Sequence, residues 1–215
     1  MFTACDHELE FTSNPNDKLA FSTDTVSFDT VFTTIGSSTR MLMLFNQNKK
    51  ALNISSIYVA NPRISGFYIN VDGMKGDRFS DVEIWGNDSL YVNIEVTVNP
   101  VKQNAPLLIS DSLIFVTNGN VQVVHLLAYG QDAVIWRGRT FEQDTCLTAI
   151  RPYLIYDSLV VAPQVTLTLE DGVRLFFHDK AAFLVKGSVK AYGLQDNPIL
   201  LRGDRSDEVY PGLSY

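Results

Sequence analysis

Three things are scarce in this sequence: cysteine, positive charge and long apolar runs. Its 215 residues include two cysteines, Cys5 and Cys146, which is too few for a disulfide framework. No apolar run approaches the ~18 residues of a membrane-spanning helix. Lys and Arg number 17 against 24 Asp and Glu, giving a formal net charge of −7. Nucleic acid is therefore not an expected partner, because phosphates call for clustered cations.

Motifs for known chemistry are also lacking. There is no Gly-x-Ser-x-Gly elbow, phosphate loop or dinucleotide fingerprint. The three histidines share no ligand spacing, so we predict neither a metal nor a cofactor; they are His7, His125 and His178. Four aspartates stand beside turn-forming residues and are predicted to be turn residues; they are Asp171, Asp179, Asp196 and Asp204. The alternative is a pair of carboxylates for glycoside hydrolysis or for a calcium-assisted lyase, but no catalytic residue is predicted.

The sequence does contain short bursts of alternating apolar residues, which are typical of half-buried strands. Seven or more such strands lie between Leu19 and Val134, and Leu90–Val98 shows the clearest alternation. Their order, with V-x-F-D-T-V-F, D-S-L-x-V-x-I-x-V and a final A-Y-G, resembles the cysteine-free sandwich domains of the spindle-associated and sperm-protein type. That resemblance implies an immunoglobulin-like β-sandwich.

Each of the short alternating segments from Leu159 to Arg202 is too short to bury an apolar face alone. This predicts that the segments stack on one another as the coils of a solenoid. Apolar residues recur at a roughly constant spacing, predicting the stacked pairs Leu159/Phe183, Val161/Val185, Val165/Val189, Leu175/Ile199 and Phe177/Leu201. The stretch resembles the opening coils of right-handed parallel β-helix proteins through Val160–Pro163, Val165–Leu167, Gly172, Gly187 and Asn197–Ile199. Gln164 stands where that family usually has glycine.

The predicted fold class is therefore all-β, an immunoglobulin-like β-sandwich followed by the first coils of a right-handed parallel β-helix. We expect a lipoprotein N-terminus and tether over residues 1–17 and the sandwich over residues 18–134. A connection follows over residues 135–152. We expect the β-helix coils over residues 153–215, with the remaining coils of that β-helix missing. We expect the sandwich to cover the first coil's backbone edge.

The N-terminal residues predict a lipid anchor. Small residues precede Cys5 in Met1–Cys5, which resembles the lipobox of bacterial lipoproteins, although no basic end or apolar core of a signal peptide is present. An acidic and polar spacer follows, as a membrane-tethered domain requires. We predict lipidation at Cys5 and an exported, outer-membrane protein at the cell surface. Cys146 is expected to fill apolar space near a strand end, and a Cys5–Cys146 bridge stays open.

An Asp–hydroxyl–aliphatic triplet recurs five times. The simple explanation is a turn entering a strand, with the aliphatic residue in the core. The alternative is a resemblance to an O-glycosylation sequon of exported Gram-negative proteins. It would modify Thr25, Thr30, Ser89, Ser112 and Ser158.

These patterns favour a non-enzymatic surface lipoprotein that presents a β-helix to a polysaccharide or a surface protein. Aromatic residues that could stack on sugar rings are Tyr91, Tyr129, Tyr153, Tyr156 and Tyr192. Two alternatives are open: a polysaccharide lyase or glycosidase with its active site in coils beyond Tyr215, and a structural or adhesin-like stalk.

Overall fold

The computed structural model describes residues 10–100 and 102–204. These form two compact units. The first contains the described residues up to Asn99 together with Leu108–Tyr129, and the second contains Pro100–Leu107 and the described residues from Gly130 onward. The all-β class predicted from the sequence is confirmed.

The first unit is a β-sandwich with one short helix. Its elements are β1 Ala20–Phe21, β2 Thr25–Phe32, β3 Arg40–Asn46, β4 Leu52–Val59, α1 Pro62–Ser65, β5 Phe67–Val71, β6 Met74–Gly76, β7 Arg78–Phe79, β8 Val82–Ile84, β9 Asp88–Val96, β10 Leu107–Thr117 and β11 Asn120–Gln131. One sheet has the order β1-β3-β9-β5-β6. The other has the order β2-β11-β10-β4-β7, with β8 also pairing with β4.

Aromatic residues join the two sheets. Phe21 on β1 lies with its ring centroid 5.0 Å from that of Phe115 on β10. The ring centroids of Phe28 on β2 and Phe67 on β5 are 5.8 Å apart. Phe28, Phe67 and Phe115 are buried, and fully burying such a side chain contributes roughly 1.5–3 kcal/mol, so these contacts between sheets stabilise the unit.

The second unit is a parallel β-solenoid. Its strands are β12 Val134–Phe141, β13 Thr145–Leu147, β14 Tyr153–Val161, β15 Thr166–Leu169, β16 Arg174–Phe177, β17 Ala182–Val185, β18 Ser188–Ala191 and β19 Leu200–Gly203. The larger sheet has the order β12-β14-β16-β19, with β17 also pairing with β14, and the smaller sheet has the order β13-β15-β18. Every one of these pairings is parallel.

The uniform coil length predicted from the apolar spacing is correct for only one of the solenoid's strand pairs. Between β14 and β17, Leu159 pairs with Phe183 and Val161 with Val185, as predicted. The other three predicted pairs are wrong. Val189 pairs with Leu167 instead of Val165, and Leu201 pairs with Leu175 instead of Phe177. The turns that connect the two sheets differ in length from coil to coil, so the coils do not all contain the same number of residues.

The connection predicted over residues 135–152 is also corrected. This stretch contains most of β12 and all of β13, which pair in parallel with β14 and β15. Its apolar signal is weak because few of its side chains face inward, notably Phe141 and Leu147. The solenoid therefore begins about one coil earlier than predicted.

Part of the predicted tether is docked on the sandwich. Phe11 forms a parallel bridge with Ala51, and the Thr12 amide donates to the Ala51 carbonyl oxygen at 3.0 Å. The side chain of Asn120 donates to the Pro15 carbonyl oxygen at 2.8 Å. Residues 10–17 thus belong to the folded unit, because their backbone polar groups find partners there.

Gln164 occupies a turn position that favours glycine. The Val165 amide donates to the Ala162 carbonyl oxygen at 3.2 Å, and Gln164 has a φ of 65°. With Pro163 before it, this is the pattern of a type II turn, whose third residue is usually glycine. Gly187 lies against this turn, since a Cβ there would be 2.2 Å from the Val165 carbonyl oxygen.

We therefore expect Gln164→Gly to raise the free energy of unfolding by up to about 1 kcal/mol. Left-handed backbone costs a non-glycine residue roughly 1–2 kcal/mol, and the entropy of a glycine in the unfolded chain offsets roughly 0.5–1 kcal/mol of that gain. The control is Gln143→Gly, where the backbone is not left-handed and a loss is expected. Urea unfolding measures both, and a less stable Gln164→Gly variant would contradict the assigned turn.

Candidate functional site

The smaller solenoid sheet presents a polar outer surface. Its inward side chains, Leu147, Leu167, Leu169 and Val189, join the solenoid core, so the residues that alternate with them point outward. We call this outward surface the hydroxyl face. It consists of Asp144, Cys146, Thr166, Thr168, Glu170, Ser188, Lys190 and Tyr192.

Coil stacking arranges the hydroxyl face in rows. Cys146, Thr168 and Lys190 pair one above the other in β13, β15 and β18. Thr166 pairs with Ser188 in the row beside them, and the Thr166 amide donates to Asp144 Oδ1 at 2.7 Å. A third row, with Glu170 and Tyr192, lies just after the ends of β15 and β18. The amide of Glu170 donates to the Leu147 carbonyl oxygen, and the amide of Tyr192 donates to the Leu169 carbonyl oxygen, so each residue is bonded to the preceding coil. The face is thus a regular grid of polar groups.

A shallow cavity of about 260 Å³ lies in this face, lined by Asp144, Thr145, Cys146, Thr166, Thr168 and Lys190. That volume is just below the ~300 Å³ at which pockets for drug-sized ligands begin. The cavity suits one ring of a longer molecule lying across the sheet. Beside it, the Tyr192 side chain is 60% exposed.

The thiol of Cys146 is part of this surface. The residue is a free, exposed cysteine, which corrects the prediction that it fills apolar space. Its Sγ donates to Glu170 Oε1 at 3.6 Å. Desolvation by its neighbours raises the pKa of the Cys146 thiol, and the Glu170 carboxylate adds to the rise. The thiol therefore stays protonated and acts as a hydrogen-bonding group rather than a nucleophile.

A second cluster lies on the larger solenoid sheet. We call it the polar row: Arg137, Tyr156, His178 and Asp204, at one position in successive coils. Arg137 pairs with Tyr156, and the amides of His178 and Asp204 donate to the carbonyl oxygens of Ile155 and Phe177. The order of side chains along the row is guanidinium, phenol, imidazole and carboxylate.

The polar row is tightly spaced. The Arg137 guanidinium carbon lies 4.0 Å from the Tyr156 ring centroid, and the ring centroids of Tyr156 and His178 are 4.4 Å apart. His178 Nδ1 is 2.6 Å from Asp204 Oδ2. Burial raises the pKa of the Tyr156 hydroxyl, with Arg137 opposing the rise and Asp204 adding to it. The phenol is consequently held in its protonated form.

The tyrosines proposed for sugar stacking fall into three groups. Tyr91, Tyr129 and Tyr192 are exposed. Tyr153 is buried and its ring stacks on Trp136 at 4.7 Å, so it belongs to the core. The Tyr156 ring contacts both Arg137 and His178, so it is engaged within the polar row and is only half-buried.

The other predicted residues are spread over both units, and Cys5 and His7 lie outside the described residues. The proposed glycosylation sites lie in strands, with Thr30 exposed and the others half-buried: Thr25, Thr30, Ser89, Ser112 and Ser158. Three of the triplet aspartates accept a hydrogen bond from the next amide. The following aliphatic residue is buried in four triplets, at Val26, Val31, Leu113 and Leu159. This burial accounts for the pattern through folding, and modification of these sites stays a prediction.

The turn aspartates have separate partners. Asp171 Oδ2 accepts from Asn197 Nδ2 at 2.7 Å, whereas Asp204 contacts His178. Within residues 10–100 and 102–204, no three His, Cys, Asp or Glu side chains are grouped to hold a metal ion. In that same part of the chain, no helix has the length and apolar character needed to cross a bilayer.

The sandwich carries a polar network of its own around Glu95. Thr39 Oγ1 donates to Glu95 Oε1 at 2.9 Å, and the Tyr68 hydroxyl donates to Glu95 Oε2. Lys75 Nζ is 3.5 Å from the same oxygen and 3.8 Å from the Tyr68 ring centroid. The Tyr68 hydrogen bond lowers the pKa of Glu95 most, with Thr39 and Lys75 adding to the effect.

No family model matches the chain. The protein bark beetle of Drosophila melanogaster is 30% identical over 139 residues, which are 62% of this chain and 4% of that protein. This chain thus spans a small fraction of that protein's length.

Two solved structures are similar to part of this chain, both with low TM-scores. A protein of unknown function from Porphyromonas gingivalis has a TM-score of 0.38 at 14% identity, covering 52% of this chain and 46% of that one. The ASH or PapD-like domain of human CEP192 has a TM-score of 0.34 at 11% identity, covering 61% of this chain and 97% of that one. Likenesses at this level carry no conclusion about function.

The Glu95 network predicts a pH-dependent contribution to stability. Because its folded-state pKa is lowered, the contribution is present above the unfolded pKa and is lost as pH falls through the folded value. We expect Glu95→Gln to lower the free energy of unfolding by up to about 1 kcal/mol near neutral pH. The difference from the wild type should shrink at acidic pH.

Urea unfolding at both pH values measures this difference. Glu83→Gln removes the same charge from an exposed strand position, so it controls for net charge. An equal effect of the two variants, or a Glu95→Gln effect that grows on acidification, would contradict the assignment.

Proposed function

We propose that this chain is an exported, lipid-anchored surface protein whose solenoid binds a polysaccharide on the hydroxyl face. The observation that carries the proposal is the exposed Tyr192 ring beside a grid of hydroxyl, carboxylate and ammonium groups. Sugars offer flat C–H surfaces to aromatic rings and hydroxyls to polar groups. A flat surface with both features suits a sugar chain lying across it.

The spacing of the face supports a repeating ligand. Neighbouring strands of a sheet lie ~4.8 Å apart, so Cys146, Thr168 and Lys190 present three polar groups at regular intervals. Carboxylates such as Asp144 and Glu170 accept hydrogen bonds from sugar hydroxyls, and Lys190 donates them. Threonine hydroxyls do both, which lets one face contact successive sugar units in the same way.

The charges on the face favour an uncharged sugar at this site. Asp144 and Glu170 are negative and Lys190 is positive, so the face does not attract anions. The pKa of the Cys146 thiol is raised, which suits a binding group better than a nucleophile. We infer that this surface holds its ligand without transforming it.

The anchor and the glycans are part of the proposal and rest on the sequence. Lipidation at Cys5 would hold the protein at the outer membrane, with the solenoid outside the cell. We expect intact-mass measurement of the protein from its native cell to show an acylated Cys5. The same spectrum reports whether Thr25, Thr30, Ser89, Ser112 or Ser158 carries a glycan, and an unacylated Cys5 would remove the anchor from the proposal.

The binding proposal predicts that Tyr192→Ala weakens glycan binding roughly tenfold or more, as the loss of an aromatic contact does. A glycan array on the wild type identifies the bound sugar, and titration calorimetry with that sugar compares the variants. Tyr129→Ala is the matched control, because Tyr129 is a similarly exposed tyrosine on the sandwich. Equal affinities for wild type and Tyr192→Ala, or an array without any bound glycan, would refute the proposal.

A further inference from the structure

A buried asparagine ties together two turns of the sandwich, one after β3 and one before β9. The Asn46 side chain is 1% exposed, and its amide nitrogen donates to the carbonyl oxygens of Lys50 and Trp85, both at 2.9 Å. The Asn87 backbone amide donates to the Asn48 carbonyl oxygen at 3.0 Å. These hydrogen bonds hold the two turns in one fixed arrangement.

The two turns enclose a cavity of about 320 Å³, lined by Phe45, Asn46, Gln47, Asn87, Asp88 and Ser89. Its volume reaches the range of ligand pockets, which begins near ~300 Å³. A second cavity, of about 500 Å³, is also lined by Gln47 and extends to the docked residues Thr12 and Asn14. We call the two cavities together the sandwich groove.

The groove offers polar groups that the fold does not use. Within the part of the chain that the structure describes, the side chains of Gln47, Asn87 and Ser89 form no hydrogen bond. Asp88 accepts from the Ser89 backbone amide through Oδ1, which leaves its second carboxylate oxygen free. Amides donate and accept hydrogen bonds and a carboxylate accepts them, which matches the hydroxyls of a sugar. The half-buried Phe45 ring adds an apolar wall.

Two exposed aromatic residues stand next to this lining. Trp85 precedes Asn87 by two residues and is 61% exposed. Tyr91 follows Ser89 on the same outward side of β9 and is also exposed. Aromatic faces pack against the flat C–H surfaces of sugar rings. Because hydrogen bonds to Asn46 fix the backbone at Trp85, binding there requires little ordering of the chain.

We propose that the sandwich groove is a second sugar-binding site, which takes an uncharged oligosaccharide. The charged residues of its lining are balanced, with Asp17 and Asp88 against Lys49 and Lys50, so the groove does not attract anions. The site is independent of the hydroxyl face, and it holds its ligand whether or not Tyr192 binds one.

The test titrates the full chain with cellohexaose, xylohexaose, mannohexaose and maltohexaose and follows tryptophan fluorescence. The chain has two tryptophans, and Trp136 is packed on Tyr153 in the solenoid, so a change reports on Trp85. We expect a saturable change with at least one of these neutral sugars and weaker binding of hexagalacturonate. Ser89 is also a predicted glycosylation site, so the titration uses protein whose intact mass shows it unmodified.

Calorimetry with the bound sugar compares variants of the groove. Trp85→Ala should weaken binding about tenfold or more, through the loss of the aromatic contact. Gln47→Ala should weaken it about fivefold, through the loss of a hydrogen-bonding partner. Ile64→Ala and Gln143→Ala remove an exposed apolar side chain and an exposed glutamine elsewhere and should bind as the wild type does. Tyr192→Ala should keep the fluorescence change.

Melting curves identify any variant that loses binding through unfolding, and where Trp85→Ala unfolds, the comparison of Gln47→Ala with Gln143→Ala decides. Four results would overturn the inference: no change with any neutral hexasaccharide, tighter binding of hexagalacturonate, wild-type affinity in folded Trp85→Ala or in Gln47→Ala, or loss of the change in Tyr192→Ala. The last of these would place the sugar on the hydroxyl face alone.

Discussion

The second unit depends on the stacking of one coil upon the next. No coil has a core of its own, and a side chain becomes buried only when a neighbouring coil lies over it. Val161 and Leu175 are 0% exposed, whereas Val185 and Leu201, which pair with them on the last described strands, are 47% and 46% exposed. Burial in this unit is therefore a property of neighbouring coils, as expected for a solenoid.

The same stacking frees the outer surface for chemistry. The inward residues of each strand supply the core, so alternate positions have no packing role and can carry polar groups. Parallel pairing then sets residues from different coils side by side. Thr168 lies beside Lys190, and the Asp204 carboxylate reaches the His178 ring. Rows of this kind bring together residues that are far apart in sequence, which is how the hydroxyl face and the polar row are built.

The sequence was sufficient to predict the fold class, because alternation and turn residues report directly on half-buried strands. It was not sufficient to predict the register between strands of neighbouring coils. The lengths of the turns between strands set that register, and an apolar pattern says little about turn lengths. The uniform coil length predicted from the sequence places His178 over Arg202. The coil is longer than that in the structure, so His178 lies beside Asp204 instead. Because the predicted coil length is too short, it does not bring His178 next to Asp204, and the polar row is therefore not predicted from the sequence.

The hydroxyl face was missed for a related reason. Tyr192 was recognised as a candidate for sugar stacking, but its neighbours on the face come from strands one and two coils earlier. Two of these neighbours, Asp144 and Cys146, lie in the stretch predicted as a connection. Strand β13, with which the face begins, carries little alternation, since Leu147 is its one residue in the core cluster. The alternation of apolar and polar residues is therefore weakest at β13, where the hydroxyl face begins.

Two tyrosines in the solenoid show how stacking assigns different roles to the same residue. Tyr192 follows a strand on the last described coil and its ring is exposed, so it can receive a flat ligand. Tyr156 lies within the stack, where its ring contacts Arg137 and His178. These contacts compete with a sugar for the Tyr156 ring, and burial raises the pKa of its hydroxyl. Position in the stack, rather than residue type, therefore separates a tyrosine that is open to a ligand from one that contacts its neighbours in the adjacent coils.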